Sequence, residues 1–160
     1  MNNRNPIDVY KGLRDQALNA VSLGMAKPPA EHSNVYGMVI DIPQGGGYVT
    51  LVAMGDGSTS MYVSNGGGII GAGQKYPDVT KASQALLVRA QHCLNSFILE
   101  PSNNLPSAGI ARFHVLTESG KLCLDITEDQ FWGKTTITGK QFPMIMAVQQ
   151  LIHALQSTGA

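Results

Sequence analysis

The fold class follows from one stretch of the chain, Tyr48-Val49-Thr50-Leu51-Val52-Ala53-Met54-Gly55-Asp56-Gly57-Ser58-Thr59-Ser60-Met61-Tyr62-Val63-Ser64. Its first part, Tyr48–Met54, is apolar on both faces, which is typical of a central strand. Gly55-Asp56-Gly57 predicts a tight turn, because an Asp-Gly pair tolerates the positive φ angles of a hairpin. The last part, Ser58–Ser64, alternates between two faces. The stretch therefore predicts an antiparallel hairpin.

A further strand is predicted before this hairpin, at Val35–Ile42. Gln44-Gly45-Gly46-Gly47 supplies the turn between the two. The large side chains of this strand are expected on one face: Tyr36, Met38, Ile40 and Ile42. The three strands together form a predicted antiparallel meander.

A second hairpin is predicted near the C-terminal end, with strands Ile110–Thr117 and Lys121–Ile126 around Glu118-Ser119-Gly120. Alternation places Phe113 and Val115 on one face of the first strand. The opposite face carries Arg112, His114 and Leu116. A short additional strand is expected at Phe131–Thr138.

Three helices are predicted. The first is capped by Asn5, begins at Pro6 and is expected to end near Gly24, with Lys11, Arg14 and Asp15 off its apolar stripe. Lys27-Pro28-Pro29-Ala30 then predicts an extended connector. The longest helix begins at Pro77 and ends before Pro101. The last begins at Pro143, and its broad apolar stripe indicates burial against a sheet or a partner subunit.

The element order is therefore α-β-β-β-α-β-β-(β)-α, with about five strands and three helices. Tight hairpins and partly segregated elements predict an α+β domain with a mostly antiparallel sheet. This order resembles that of profilin-like and roadblock-type regulatory domains. The length of 160 residues favours a single domain over residues 1–160.

Composition excludes several classes of function. The chain carries 11 basic and 11 acidic residues and no Lys/Arg cluster, so we expect no nucleic-acid partner. No apolar run is long enough for a membrane span, and residues 1–6 lack a signal-peptide pattern. We therefore expect a cytoplasmic protein. Only 14% of residues are charged, which is explained equally well by self-association and by a surface of neutral polar residues such as Asn, Gln, Ser and Thr.

A glycine-rich stretch, Ser64-Asn65-Gly66-Gly67-Gly68-Ile69-Ile70-Gly71-Ala72-Gly73, follows the meander. It contains Gly66-x-Gly68-x-x-Gly71, which matches a dinucleotide-binding fingerprint. A dinucleotide site needs a parallel βαβ unit with a helix directly after the glycines. The strand before this stretch belongs to an antiparallel hairpin, and the next helix is predicted only from Pro77. No phosphate-binding Gly-Lys-Ser/Thr follows, so no cofactor is expected.

Two interpretations of the glycine stretch stay open. In the first, the glycines pack a loop closely against the sheet, with Ile69 and Ile70 buried as an anchor. In the second, successive backbone N–H groups bind a small anionic ligand. Arg112 and His114 would join that site if their strand face lay beside the loop. The candidate ligand-binding residues are Gly66, Gly67, Gly68, Gly71, Gly73, Tyr62, Asn65, Arg112 and His114.

No metal site is predicted. No two of the four histidines, His32, His92, His114 and His153, have metal-ligand spacing on one element. Cys93 and Cys123 form no CxxC motif and are expected to be buried free thiols. Asp56 is explained by its turn, and no Gly-x-Ser-x-Gly element supports a serine hydrolase.

Several segments carry a resemblance: Val35-Tyr36-Gly37, the run from Val52 to Tyr62, the glycine-rich stretch, and Arg112-Phe113-His114-Val115-Leu116-Thr117. They resemble a family of small uncharacterised bacterial proteins with no assigned activity. The similarity covers most of the chain. It implies a bacterial protein and brings no catalytic residue, substrate or cofactor with it.

The leading functional hypothesis is a non-enzymatic cytoplasmic domain that acts by association, as a homodimer. The alternative is a module that binds a small molecule or anion through Gly66–Gly73. A third hypothesis is an enzyme, which would need Arg112, His114 and the glycine-rich stretch in one pocket.

Overall fold

A computed structural model describes residues 5–27, 33–137 and 139–159. Its elements, in chain order, are helix α1 (Pro6–Leu18), strands β1 (Gly37–Gln44), β2 (Gly47–Met54), β3 (Thr59–Val63) and β4 (Gly68–Ile69), helices α2 (Ala72–Lys75) and α3 (Pro77–His92), a short 3-10 helix (Leu94–Ser96), strands β5 (Ile98–Leu99), β6 (Ile110–Thr117) and β7 (Gly120–Thr127), and helices α4 (Glu128–Phe131) and α5 (Gln141–Gln156).

The strands form one antiparallel sheet in the order β4-β3-β2-β1-β6-β7-β5. The predicted meander is confirmed as β1-β2-β3, and the predicted second hairpin as β6-β7. β1 lies at the centre, because Val39 pairs with Val52 on one side and with His114 on the other. The α+β class with an antiparallel sheet is therefore confirmed.

The sheet is covered on both faces. One face packs against α3 and α5, and its core includes Ile40, Leu51 and Phe113 from the strands with Leu86 and Leu151 from the helices. The other face packs against α1, through a smaller apolar cluster: Ala17, Leu18, Ala20, Val39, Val52 and Leu116. The predicted division of β6 is confirmed, since Phe113 and Val115 lie in the first cluster and Leu116 in the second.

Tyr36 departs from its predicted face. It packs with the α1-side cluster, whereas Met38, Ile40 and Ile42 lie in the core under α3 and α5. The reason is that β1 begins only at Gly37, so the strict alternation of a strand does not extend back to Tyr36.

The starts of α1 and α3 follow the predicted chemistry, whereas α5 begins at Gln141, two residues before the predicted start at Pro143. The Asn5 side chain accepts a hydrogen bond from the N–H of Ile7, and Pro6 occupies the first helical position of α1. Pro77 begins α3, and Asp78 lies in its first turn. The helical part of α1 ends at Leu18, earlier than expected, and the chain reaches Gly24 through turns.

The predicted strand at Phe131–Thr138 is wrong for the residues that the structure describes, and Thr138 lies outside them. Thr127 and Gln130 form a capping box, in which each side chain accepts from the other's backbone N–H. Such a box starts a helix, and the chain accordingly forms α4 followed by turns. The predicted connector at Pro28, Pro29 and Ala30 and the histidine His32 also lie outside the described residues.

The element counts are higher than predicted, with seven strands and five helices in the described part of the chain. β4 and β5 have two residues each, and α2 and α4 have four. Elements this short show no periodicity in the sequence, which explains why they were missed. None of the helices within the described ranges has the length and apolarity that a bilayer crossing requires.

Candidate functional site

The glycine-rich stretch lies at one edge of the sheet. It turns out of β3, forms β4 and leads directly into α2, so a helix begins closer to Gly71 than predicted. The backbone φ angle is positive at Gly66, Gly67, Gly68 and Gly71. Residues with a side chain rarely adopt these angles, so the chain path itself requires glycine here.

Two of the glycines allow close packing. A Cβ atom on Gly68 would collide with the carbonyl oxygen of Met61 on the neighbouring strand. A Cβ atom on Gly73 would collide with the carbonyl oxygen of Gly57, in the turn between β2 and β3. Gly73 therefore lets α2 lie directly on this turn. These contacts give the stretch a packing role, while anion binding by its N–H groups stays a prediction.

Ile69 and Ile70 do not act together as a buried anchor. Ile69 is half-buried and packs against the core, but 71% of Ile70 is exposed. Two of the backbone N–H groups of the stretch also have partners already: Gly66 donates to the carbonyl of Val63, and Gly71 donates to the Ser60 hydroxyl at 3.2 Å.

The other candidate residues are spread over the molecule. Tyr62 faces α1 and packs with the smaller apolar cluster, while Asn65 borders a cleft on the opposite face. Arg112 and His114 lie on β6, four strand positions from β4, which corresponds to roughly 19 Å of sheet. The glycine-rich stretch, Arg112 and His114 therefore do not share one pocket.

His114 belongs to a buried polar network under α1. Arg14 donates from Nε and Nη2 to the two carboxylate oxygens of Asp41, at 2.9 and 2.8 Å. His114 Nε2 lies 3.2 Å from Asp41 Oδ2, and the Thr50 hydroxyl donates to Oδ1 at 2.7 Å. Asp41 and His114 are 0% exposed and Arg14 is 3% exposed.

This network corrects the prediction that Arg14 lies off the buried stripe of α1. Its guanidinium group makes four hydrogen bonds in all, since Nη1 and Nη2 also donate to the carbonyl groups of Asn103 and Asn104. The network fixes both α1 and the loop around Asn103 to the sheet. Its complete burial leaves no room for a substrate, so we interpret it as structural.

Burial and the neighbouring groups act in opposite directions on the pKa values of Asp41 and His114. Burial raises the pKa of Asp41, but hydrogen bonds from Arg14 and His114 and the positive charge of Arg14 outweigh burial and lower it to about 2. For His114, burial lowers the pKa and outweighs the attraction of Asp41. His114 is therefore neutral, donates from Nε2 to Asp41, and has no partner for Nδ1 among the described residues.

Arg112 shares the face of His114, as predicted, but it serves a second ion pair. Its Nε and Nη2 donate to the carboxylate of Asp125 on β7 at 2.7 and 2.9 Å. Nη1 donates to the carbonyl of Asn104. Arg112 therefore binds the same loop that Arg14 binds. Tyr48 adds a further contact to this loop, because its hydroxyl donates to the Pro106 carbonyl.

A cleft of about 380 Å³ opens on the other face of the sheet, beyond the last turn of α5. Its floor is a row of apolar side chains across three neighbouring strands, since Ile42 pairs with Val49 and Val49 pairs with Val63. Trp132 and Ile152 also line it. We call this site the amide cleft, because three carboxamide side chains form its rim: Gln44, Asn65 and Gln156.

The rim amides are free to bind. Gln44, Asn65 and Gln156 are exposed, and their side chains make no hydrogen bond to another residue of the described ranges. Of the residues that the structure describes, no Asp, Glu, Lys, Arg or His lines the cleft. Sequence reasoning found Asn65 but not Gln44 or Gln156, because nothing in the sequence signals that the ends of β1 and α5 meet.

A second depression lies between the segment 130–137 and α5. We call it the α5 groove. Three large apolar side chains line it and remain exposed: Trp132 at 45%, Phe142 at 51% and Met146 at 39%. Trp132 is held edge-on against the buried Phe131, with ring centroids 4.8 Å apart, and the Gln149 side chain donates to the Phe131 carbonyl at 2.7 Å. The apolar surface is therefore presented on a fixed backbone.

The described ranges contain no cluster of side chains for a metal ion and no disulfide. No group of three or more His, Cys, Asp or Glu side chains there could hold a metal ion. Cys93 and Cys123 are buried and unpaired, as predicted.

No protein-family model, curated protein or solved structure matches this chain. The resemblance to small uncharacterised bacterial proteins stays a prediction, and the function has to be argued from the geometry above.

Proposed function

We propose that this protein is a non-enzymatic domain that acts by association, and that its first partner is a second copy of the same chain bound through the α5 groove. The observation that carries the proposal is the exposure of Trp132, Phe142 and Met146 around one groove. Aromatic residues and Met are enriched at protein interfaces, where they supply large apolar contact area.

The charge of the groove favours a copy of itself as the occupant. Two-fold association brings the same surface patch of both subunits together, so a patch with many like charges would repel its copy. Within the described ranges, Lys134 is the one charged residue that lines the α5 groove. The low charge of the whole chain, 14% of residues, points in the same direction.

Helix α5 supports the proposal because its buried and its exposed apolar positions are different residues. Its buried side includes Met144, Val148 and Leu151, which pack into the core under the sheet. Phe142 and Met146 lie outside that set and are exposed. Most of the broad apolar stripe of α5 is therefore buried in the core, and its exposed margin is available to a partner.

The test is the molar mass in solution, measured by sedimentation equilibrium or light scattering from low to high micromolar concentration. We expect the natural chain to dimerise in this range and the variants Phe142→Gln and Met146→Gln to shift towards monomer. Val88→Gln is the matched control, since Val88 is an equally exposed apolar helix residue outside the groove. A strictly monomeric natural chain, or an equal effect of Val88→Gln, would contradict the proposal.

The regulatory role, the cellular location and the bacterial origin of the protein are also proposals. A regulatory role like that of profilin-like or roadblock-type domains rests on element order, a cytoplasmic location rests on composition, and a bacterial origin rests on the resemblance to small bacterial proteins. The enzyme hypothesis loses its geometric support, because Arg112 and His114 are engaged with Asp125 and Asp41 far from the glycine-rich stretch.

A further inference from the structure

From the amide cleft we infer a binding site for an uncharged, ring-containing small molecule with hydrogen-bonding groups on its edge, of the kind represented by a nucleoside or an aromatic carboxamide. Among the described residues the amide cleft shares Trp132 alone with the α5 groove, so the inference rests on the other residues that line the cleft and not on the proposed self-association.

The shape of the cleft fits a small ligand. Its volume of about 380 Å³ lies within the roughly 300–1,000 Å³ that small-molecule sites usually occupy. The floor of Ile42, Val49 and Val63 belongs to three strands of one sheet, so it is rigid and formed before any ligand arrives. Val49 and Val63 are only half-buried, which leaves apolar surface for a ligand to cover.

The rim defines the polar edge of the ligand. Gln44, Asn65 and Gln156 each offer an N–H donor and a carbonyl acceptor, and none of the three is used by the described residues. Carboxamides at the edge of an apolar floor select molecules that carry both donors and acceptors. Amides and nucleobases have this pattern, and hydrocarbons lack it.

The absence of charged side chains from the lining defines the charge of the ligand. A carboxylate or ammonium group drawn into the cleft would lose water and meet no opposite charge, which is costly. Trp132 supplies an indole at the side of the cleft, and aromatic side chains favour flat rings as partners. An uncharged ring is therefore the class that fits, in contrast to the anion expected of the glycine-rich stretch.

The experiment uses Trp132, the only tryptophan of the chain, as an optical reporter. Adenosine, uridine and benzamide are titrated against its fluorescence, with benzoate as the charged counterpart of benzamide. We expect saturable changes for at least one uncharged probe, and benzoate binding at least tenfold more weakly than benzamide. Asn65→Ala and Gln44→Ala should each weaken binding by about three- to tenfold, the equivalent of one hydrogen bond.

Gln84→Ala is the matched control, because Gln84 is an exposed amide on α3 far from the lining of the cleft. Melting curves of all variants confirm that each is folded at the titration temperature. The inference is overturned if no uncharged probe alters the fluorescence, if benzoate binds as well as benzamide, or if the rim variants bind like Gln84→Ala. A change with protein concentration alone that Asn65→Ala abolishes would place a second copy in the cleft, and would also overturn it.

Discussion

Arg14 on α1 and Asp41 on β1 form a bidentate ion pair in the interior of the protein, in which both carboxylate oxygens of Asp41 accept a hydrogen bond from the guanidinium group. An isolated buried carboxylate is strongly unfavourable, so each partner requires the other. The pair also explains how α1 is held, because the apolar cluster under this helix is small.

Removing the arginine should therefore destabilise the fold. For Arg14→Met we expect a loss of about 3–5 kcal/mol in the free energy of unfolding, since Asp41 is left buried without its partner. Urea unfolding followed by circular dichroism measures the change. Arg89→Met, an exposed arginine on α3, is the control and should shift stability by no more than about 0.5 kcal/mol. Equal stabilities of the two variants would contradict the structural role of the pair.

Stability should fall on mild acidification because of His114. The folded state holds the pKa of His114 below its usual value, so it binds fewer protons than the unfolded chain, and stability is fully present above about pH 6.5 and is lost below it. Asp41, with its pKa lowered to about 2, adds a second loss between its ordinary 3.8 and that value. Urea unfolding from neutral to mildly acidic pH measures the first loss.

His114→Gln isolates this contribution, because glutamine retains an N–H donor for Asp41 but does not titrate. The variant should have a flatter stability profile just below about pH 6.5 than the natural chain. His92→Gln, at an exposed histidine of α3, should leave the profile unchanged. A natural profile that is already flat in this range would show that His114 is not held neutral.

Two Gly→Ala substitutions in helices should have opposite effects. Gly73→Ala places a methyl group against the Gly57 carbonyl and should cost about 1–3 kcal/mol or more. Gly12→Ala, in the exposed interior of α1 with open space around its Cβ position, should stabilise by about 0.5–1 kcal/mol. Thermal unfolding compares the two. If Gly73→Ala matched Gly12→Ala, α2 would not lie directly on the β2–β3 turn.

The two thiols should react slowly in the folded protein. Burial raises the pKa of both Cys93 and Cys123, and both side chains are nearly inaccessible, so little reactive thiolate is presented. A chromogenic disulfide reagent should modify both only at the rate of local opening, and rapidly in urea. Immediate reaction of either thiol without denaturant would be inconsistent with the burial of Cys123 in β7 or of Cys93 directly after α3.

The sequence predicted the elements whose signals are local. The turn at Asp56-Gly57 and the alternation of Phe113 and Val115 were sufficient for the two hairpins. The capping box at Thr127 and Gln130 is also visible in the sequence and predicts the start of α4, which the expected strand at Phe131–Thr138 overlaps at its first residue.

The rest depended on contacts between distant segments. Arg14, Asp41 and His114 come from three separate elements, and only an acidic residue inside an apolar strand hinted at a buried partner. The amide cleft likewise arises where the ends of β1 and α5 meet. The role of Gly73 could not be foreseen, because it depends on which turn α2 packs against.

The two ends of the sheet have a consequence for how this protein meets other chains. A long, unpaired edge strand offers backbone N–H and C=O groups on which a further strand can add, and this is a common route to aggregation. Here the sheet terminates in β4 and β5, strands of two residues each. In the described part of the chain β4 pairs with Met61 and Tyr62 of β3, and β5 pairs with Leu122 and Cys123 of β7, so each outer edge of the sheet passes from one strand to another within a few residues. An incoming strand would meet no straight, continuous edge, and the fold therefore directs association towards its side-chain surfaces.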